Sequence, residues 1–168
     1  MNFEINPASL QDKAVLRQLM ELYAYDFSEF DGADVDEHGM YGYSYLDHYW
    51  TEEGRYALLF RADGKLAGFA MVRRVEVHGE PVWSMAEFFV MRKYRQHGLG
   101  RDAACRIFEL FPGRWNVAEL AENAPAQAFW RRIISEYTGG AFTETWQNDE
   151  HWQGPVQEFV SNPAEKAG

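Results

Sequence analysis

Apolar positions along the chain change period several times, and each change marks an element. FEIN alternates as a short strand and is ended by Pro7. Ser9 then caps a helix, and Leu10, Ala14, Leu16, Leu19, Met20, Leu22 and Tyr23 recur at helical spacing, which predicts a helix through about Tyr25. The next stretch, DFSEFDGADVDEHGMYGYSYLDHYW, is interrupted by glycines and rich in aromatics, with a short helix expected around Tyr45 to Trp50. RYALLFRA and KLAGFAMVRRVEV flank Asp63-Gly64, a dipeptide suited to a two-residue hairpin. Beyond the turn-rich His78-Gly79-Glu80-Pro81, VWSMAEFFVM reads as a third strand, so an antiparallel meander is expected.

Helical spacing returns in GLGRDAACRIFELF, residues 98 to 111, and Pro112-Gly113 stops it. RWNVAEL is a strand. APAQAFWRRIISEY, residues 124 to 137, is a helix with Pro125 tolerated in its first turn and Gly139-Gly140 past its end. AFTETWQ and PVQEFV are two closing strands, the last expected at a sheet edge, where edge pairing would give a homodimer. The order β-α-α-β-β-β-α-β-α-β-β predicts an α/β fold of the α+β kind, one mixed sheet with helices on its faces. One domain over residues 1–160 is expected, followed by a loose tail at 161–168, SNPAEKAG.

Composition narrows the function. Sixteen Lys and Arg stand against 26 Asp and Glu, a net charge of −10 in 168 residues. That balance disfavours sequence-independent nucleic-acid binding and anionic membrane surfaces, and suits a cationic partner. The single Cys105 excludes an intrachain disulfide framework and a Cys-rich zinc site, and no metal is expected. With no long apolar run and no signal-like start, the expectation is a cytoplasmic protein.

Against this acidic background, Arg92, Lys93, Arg95, His97 and Arg101 cluster where a strand runs into a helix through Gly98 and Gly100. Glycines that free backbone N–H groups at a helix start make a site for a diphosphate. The alternative is a capped helix start with solvated basic residues. Gly98-Leu99-Gly100-Arg101-Asp102-Ala103 also fits G-x-G-x-x-A, with Glu119 at the place of a ribose-binding acid. Three features weigh against a dinucleotide fold: the charged stretch 92–97 before Gly98, the antiparallel strands ahead of it, and the few elements after it.

Val90-Met91-Arg92-Lys93-Tyr94-Arg95-Gln96-His97-Gly98-Leu99-Gly100 resembles the acyl-CoA loop of the GNAT N-acyltransferase superfamily, R/Q-x-x-G-x-G/A after a strand. Asn123-x-x-Ala126-x-x-Phe129-Trp130 resembles that family's second motif, N-x-x-A-x-x-F/L-Y, and the order of elements over about residues 3 to 160 follows its fold. The resemblance implies a parallel fourth and fifth strand that splay apart around the pantetheine arm of acetyl-CoA. It assigns Phe89, Val90 and Met91 to backbone pairing with that arm. It places the pyrophosphate on Arg95, Gln96, His97, Gly98, Leu99, Gly100 and Arg101. Asn123 would bond the arm, with Ala126, Phe129 and Trp130 near it, although an Asn before a helix also reads as a cap.

The implied reaction is direct transfer of an acetyl group to an amine, with no covalent intermediate. Glu87 interrupts an apolar strand on the face of Phe89 and is the candidate general base; the alternative is an edge carboxylate paired with an Arg. Trp130 stands where the family often carries a Tyr, and an indole N–H cannot cycle a proton. The general acid is left unassigned between Tyr137, a water and unassisted thiolate release. Asp26, Tyr41, Tyr43 and Tyr45 are acceptor-pocket candidates, with Tyr49 and Trp50 as further walls, for an acceptor expected to be a small cationic amine. The competing reading fills the core with these rings and solvates the acids. A non-catalytic acyl-CoA-binding module is the alternative function, and a nicotinamide-dependent oxidoreductase a third.

Overall fold

Alternation of large apolar residues builds seven strands among the described residues, and two-residue turns join the second, third and fourth of them. A computed structural model describes residues 1–166. Its strands are β1 (Phe3–Pro7), β2 (Arg55–Ala62), β3 (Lys65–Val77), β4 (Glu80–Val90), β5 (Gly113–Ala118), β6 (Phe142–Asn148) and β7 (Gln153–Ser161). Asp63 (φ 48) and Gly64 (φ 76) close the β2–β3 hairpin, and His78 (φ 52) and Gly79 (φ 78) close β3–β4. Positive φ at both central residues matches the twist of the flanking strands and fixes their register. The sheet order is β1-β2-β3-β4-β5-β7-β6, antiparallel throughout except for β4 against β5.

Helices cover both faces. α1 (Lys13–Asp31) and α2 (His48–Thr51) pack on one side, where Leu16, Leu19, Met20 and Tyr49 meet Leu59, Phe69, Met71 and Phe89. α3 (Leu99–Leu110) and α4 (Ala124–Thr138) pack on the other, where Leu99, Ile107, Phe108, Trp130 and Ile133 meet Leu58, Phe60, Trp115 and Phe159. Strand alternation feeds both cores: in β2, Leu58 and Phe60 face α3 and α4 while Ala57 and Leu59 face α1. No helix among the described residues is long and apolar enough to cross a membrane.

The structure differs from expectation in four places. α1 runs on from Tyr25 to Asp31, because Phe27 and Phe30 extend its apolar stripe and nothing breaks it before Gly32, left-handed at φ 70. The second helix is shorter, starting only at His48 after a series of turns. β7 is not an edge strand. It lies between β5 and β6, so β6 closes that side of the sheet and edge pairing through PVQEFV is not available. β7 also extends to Ser161, a buried residue bonded to Tyr137 and Phe108, and a short helix α5 (Pro163–Lys166) follows in the segment expected to be loose. Residues 167–168 of that tail lie outside the described residues.

Candidate active site

β4 and β5 pair at only two positions, Trp83 with Trp115 and Ser84 with Asn116, and then part. The gap between them is bordered by the end of β4, the start of α3 and the first turns of α4. Alternation decides which groups of β4 face it. The Met91 amide donates to Ala67 O of the β2–β3 side (2.8 Å), whereas the Val90 carbonyl accepts from Arg95 Nε (2.8 Å) on the other. Phe88 and Val90 therefore turn their backbone toward the gap, while Phe89 and Met91 turn theirs toward β3. Of the three residues expected to pair with the arm, only Val90 presents its N–H there.

The loop after β4 opens with a 3-10 turn, Arg92–Tyr94, anchored by the buried Tyr94 ring. Left-handed backbone at Gln96 (φ 65) and Gly98 (φ 86) then reverses the chain into α3. Gly98 suits that conformation because it lacks a Cβ. Gly100 is set closely for another reason: a Cβ there would lie 3.2 Å from the Phe129 ring of α4, and anything larger would push α3 and α4 apart. The amides of Leu99, Gly100 and Arg101 form the first turn of α3 and have no intrahelical acceptor, so they present a positive end to an anion. A diphosphate fits this opening. Arg101 is exposed and pairs with Glu136 (3.0 Å), and Gln96 and His97 are exposed beside it.

Arg95 holds the loop to the rest of the site. Its Nη2 donates to Asp26 Oδ2 (2.6 Å), and Arg92 donates to Asp26 Oδ1 through Nη2 (2.7 Å) and Nε (3.0 Å). Burial alone would raise the Asp26 carboxyl, but the two guanidinium groups hold it below its ordinary value. Asp26, expected in an acceptor pocket, has its carboxylate taken up by these arginines and joins α1 to the glycine loop.

Asn123 is buried and caps α4, its Oδ1 accepting from the Ala126 amide (3.1 Å), while its Nδ2 has no partner among the described residues. Ala126 and Phe129 are half-buried at the gap side of α4. Trp130 is core: its ring lies 4.9 Å from Phe88 and 6.3 Å from Phe108. Tyr137 lies two turns further, its hydroxyl 2.8 Å from Ser161 Oγ, which in turn donates to Phe108 O (2.6 Å). Locked between α3, α4 and β7, Tyr137 is not placed to protonate a thiolate in the gap.

Glu87 faces α1. Alternation sets its side chain on the side of Phe89, and a bulge at Ala86, where the register passes from Met71–Glu87 to Val72–Met85, ends that alternation so that Met85 joins the opposite core. The carboxyl is half-buried and raised to about 7, chiefly by desolvation. Hydrogen bonding from Tyr23 and Tyr43, and the charge of Arg73, pull the other way. The Tyr23 ring itself rests on Phe69 and Phe89, both at 5.6 Å, and burial with the nearby Glu87 charge raises its hydroxyl well above 10. Burial likewise raises Tyr43 and Tyr49.

The acceptor candidates divide. Tyr43 stands beside Glu87 and lines a cavity of about 140 Å³ with Arg17, Met20, Glu21 and Leu46. Tyr45 is exposed, 5.8 Å under the Arg55 guanidinium. Tyr41 packs toward α1, its amide bonded to Glu21 Oε1 (2.8 Å) and its hydroxyl near Ser28. Trp50 donates to Ala8 O. Sequence reasoning missed Tyr23, counted only as part of the apolar stripe of α1, and Arg55 and Arg73. Glu119, the acid of the dinucleotide alternative, is buried and accepts from Gln157 (2.8 Å), and the strands ahead of the loop are antiparallel. Among the described residues no group of His, Cys, Asp and Glu is arranged to hold a metal.

The fold that carries this site is shared with known proteins. The sequence model of the Acetyltransferase (GNAT) family matches residues 16–134. No curated protein matches. Among solved structures, the PaiA N-acetyltransferase of Thermoplasma acidophilum in complex with coenzyme A superposes with a TM-score of 0.66 at 12% identity, covering 95% of this chain and 99% of that one. An acetyltransferase from Thermus thermophilus gives 0.68 at 14%, covering 95% and 97%. The ribosomal-protein-S18-alanine N-acetyltransferase of Escherichia coli gives 0.62 at 15%, covering 96% and 95%. At such identities the likeness speaks for the fold, while the sequence match spans most of the chain, which therefore belongs to the GNAT acetyltransferase family, whose members use acetyl-CoA as acetyl donor.

Proposed function

We propose that this chain is an N-acetyltransferase that moves an acetyl group from acetyl-CoA directly to an amine. The observation that carries this reading is the placement, on one strand, of the half-buried Glu87 and of the gap-facing backbone that leads into the glycine loop. The amides of Gln96 to Arg101, with the side chains of His97 and Arg101, would hold the diphosphate. The Val90 N–H, Asn123 Nδ2, Ala126 and Phe129 would hold the arm. Acetyl-CoA supplies an activated thioester carbonyl at the mouth of the gap.

Glu87 accepts the proton that the acceptor ammonium must lose, directly or through a water. With its carboxyl raised to about 7, it is divided between base and acid at neutral pH, the condition in which a general base works best. The free amine attacks the carbonyl, the new C–N bond forms as the C–S bond breaks, and the sulfur leaves as thiolate. Backbone N–H groups on the gap edge of β4 are the donors for the oxygen charge that develops. No side chain is assigned to protonate the sulfur. Trp130 is a donor only, and Tyr137 is bonded to Ser161 away from the gap. A thiol of ordinary pKa, about 8.5, leaves without help at little cost.

The absence of that acid also favours a second reading, an acyl-CoA-binding module without transfer. Thiol release from acetyl-CoA across a panel of amines separates the two: amine-dependent release supports the enzyme, and binding without release supports the module.

A further inference from the structure

Two arginines share the face of the sheet that carries Glu87. β2 and β3 set Arg55 and Arg73 directly opposite each other. Alternation puts both on the side of Ala57, Leu59, Phe69 and Met71, the side to which Glu87 also turns. Like charges facing each other across a strand pair are destabilising. Arg55 is compensated in part: its Nε bonds Glu52 Oε2 (3.0 Å), and its guanidinium lies over the rings of Tyr49 (5.5 Å) and Tyr45 (5.8 Å). Arg73 is exposed and has no hydrogen-bond, ion-pair or ring partner among the described residues. It stands one alternation step from Met71, the cross-strand partner of Glu87, close enough for its charge to act on that carboxyl without forming a salt bridge.

Near this face Glu21 lines the cavity beside Tyr43 and accepts from the Tyr41 and Gly42 amides, and three acids of the segment after Tyr25 have partners of their own. Asp26 is held by Arg92 and Arg95, Asp31 accepts from the Ala33 amide, and Asp36 accepts from the His38 and Met40 amides within its own turn.

We infer that the acceptor carries an anionic group of its own, a carboxylate held by Arg73 with Arg55 as second cation, beside the amine presented to Glu87. Such an acceptor is an amine of the amino-acid type. Glu87 attracts its ammonium and repels its carboxylate, Arg73 does the reverse, and the two together orient it. A polyamine or an amino sugar instead meets two guanidinium groups. This inference rests on the acetyltransferase reading above and refines it.

The test measures kcat/KM for the twenty amino acids, their amides and spermidine by thiol release, in wild type, Arg73→Gln and Arg74→Gln. Arg74 points to the opposite face, over the Trp83 ring at 5.1 Å, and serves as control. The reading is the ratio of each acid to its amide, because removing Arg73 also acts on Glu87 for both members of a pair alike. Wild type should favour the acid at least about tenfold, the size of a charge-assisted hydrogen bond. Arg73→Gln should bring the ratio to within about threefold of unity, and Arg74→Gln should leave it where it was. Preference for amides or spermidine in wild type, or an unchanged ratio in Arg73→Gln, overturns the inference. So does failure of every amino acid as acceptor. An acetyl-CoA titration of the same preparations then tells whether the acetyltransferase reading falls with it.

Discussion

Replacing Glu87 by Gln keeps the side chain's shape and removes only its ability to take a proton. With the carboxyl raised to about 7, Glu87 is about one-tenth ionised at pH 6, half at pH 7 and nine-tenths at pH 8. If the ionised form is the base and the bound substrates leave its value near 7, kcat at saturating acceptor and acetyl-CoA should rise about tenfold between pH 6 and pH 8 and then level off. The Gln variant should lose about 100-fold or more at pH 8 and lose that limb of the profile. Stability should move the other way. A carboxyl whose folded value is raised from 4.5 to about 7 binds more proton folded than unfolded across that interval. Its contribution is therefore complete below about 4.5 and is lost as pH rises through 7, so wild type should melt lower at pH 8 than at pH 5. Glu87→Gln should escape part of that fall. The assay is thiol release against pH, with thermal melts on the same samples. A Gln variant that keeps both kcat and the pH limb refutes the assignment, since the limb would then belong to another group.

Other consequences are independent of that residue. Glu119, raised to about 8 chiefly by burial, should make stability fall between about pH 4.5 and 8, and Glu119→Gln should flatten that dependence in melts while leaving the kcat profile in place. Loss of the kcat limb in this variant would show that Glu119 is coupled to catalysis after all. Asp26→Asn frees both Arg92 and Arg95, so it should weaken acetyl-CoA binding several-fold and cost about 1 kcal/mol in urea melts; unchanged affinity would mean that the ion pairs do not shape the loop. Gly100→Ala sets a gain in helix propensity of about 1 kcal/mol against a ring 3.2 Å away, and should be nearly neutral. Gly100→Val adds methyl groups toward Phe129 and Val90, and should lose about 1–3 kcal/mol; equal stability of the two would show that α3 and α4 part freely.

The features readable in advance are those written locally. Asp63-Gly64 closes its hairpin with both residues at positive φ, and the glycine loop opens α3 as its composition requires. Glu87 and Phe89 share a face as alternation demanded, although the bulge at Ala86 depends on the pairing with β3 and leaves no local mark. What stayed hidden depends on distant partners. The acidic run after Tyr25 reads as an exposed loop until α1 is seen to carry Asp26 to Arg92 and Arg95, 66 and 69 residues away in the chain. The insertion of β7 beside β5 rests on pairings across the sheet that no stretch of sequence contains. Arg55 and Arg73 lie within ordinary strand sequences, and only the β2–β3 register brings them face to face beside the base. Asn123 satisfies the cap reading through Ala126 and still leaves its amide nitrogen for a ligand, so its two expected roles do not compete.

Everything in the proposed reaction depends on the loop from Gln96 to Arg101 receiving the diphosphate of acetyl-CoA. Calorimetric titration tests it most directly, with wild type and Gly98→Asp titrated by acetyl-CoA and by NADH. Gly98 has open space around the position of a Cβ but left-handed backbone at φ 86, so an Asp there brings negative charge to the mouth of α3 together with local backbone strain. Wild type should bind acetyl-CoA with micromolar affinity and should not bind NADH, and Gly98→Asp should bind acetyl-CoA about 100-fold more weakly. Absence of acetyl-CoA binding to wild type, or equal affinity in the Asp variant, would contradict that role of the loop.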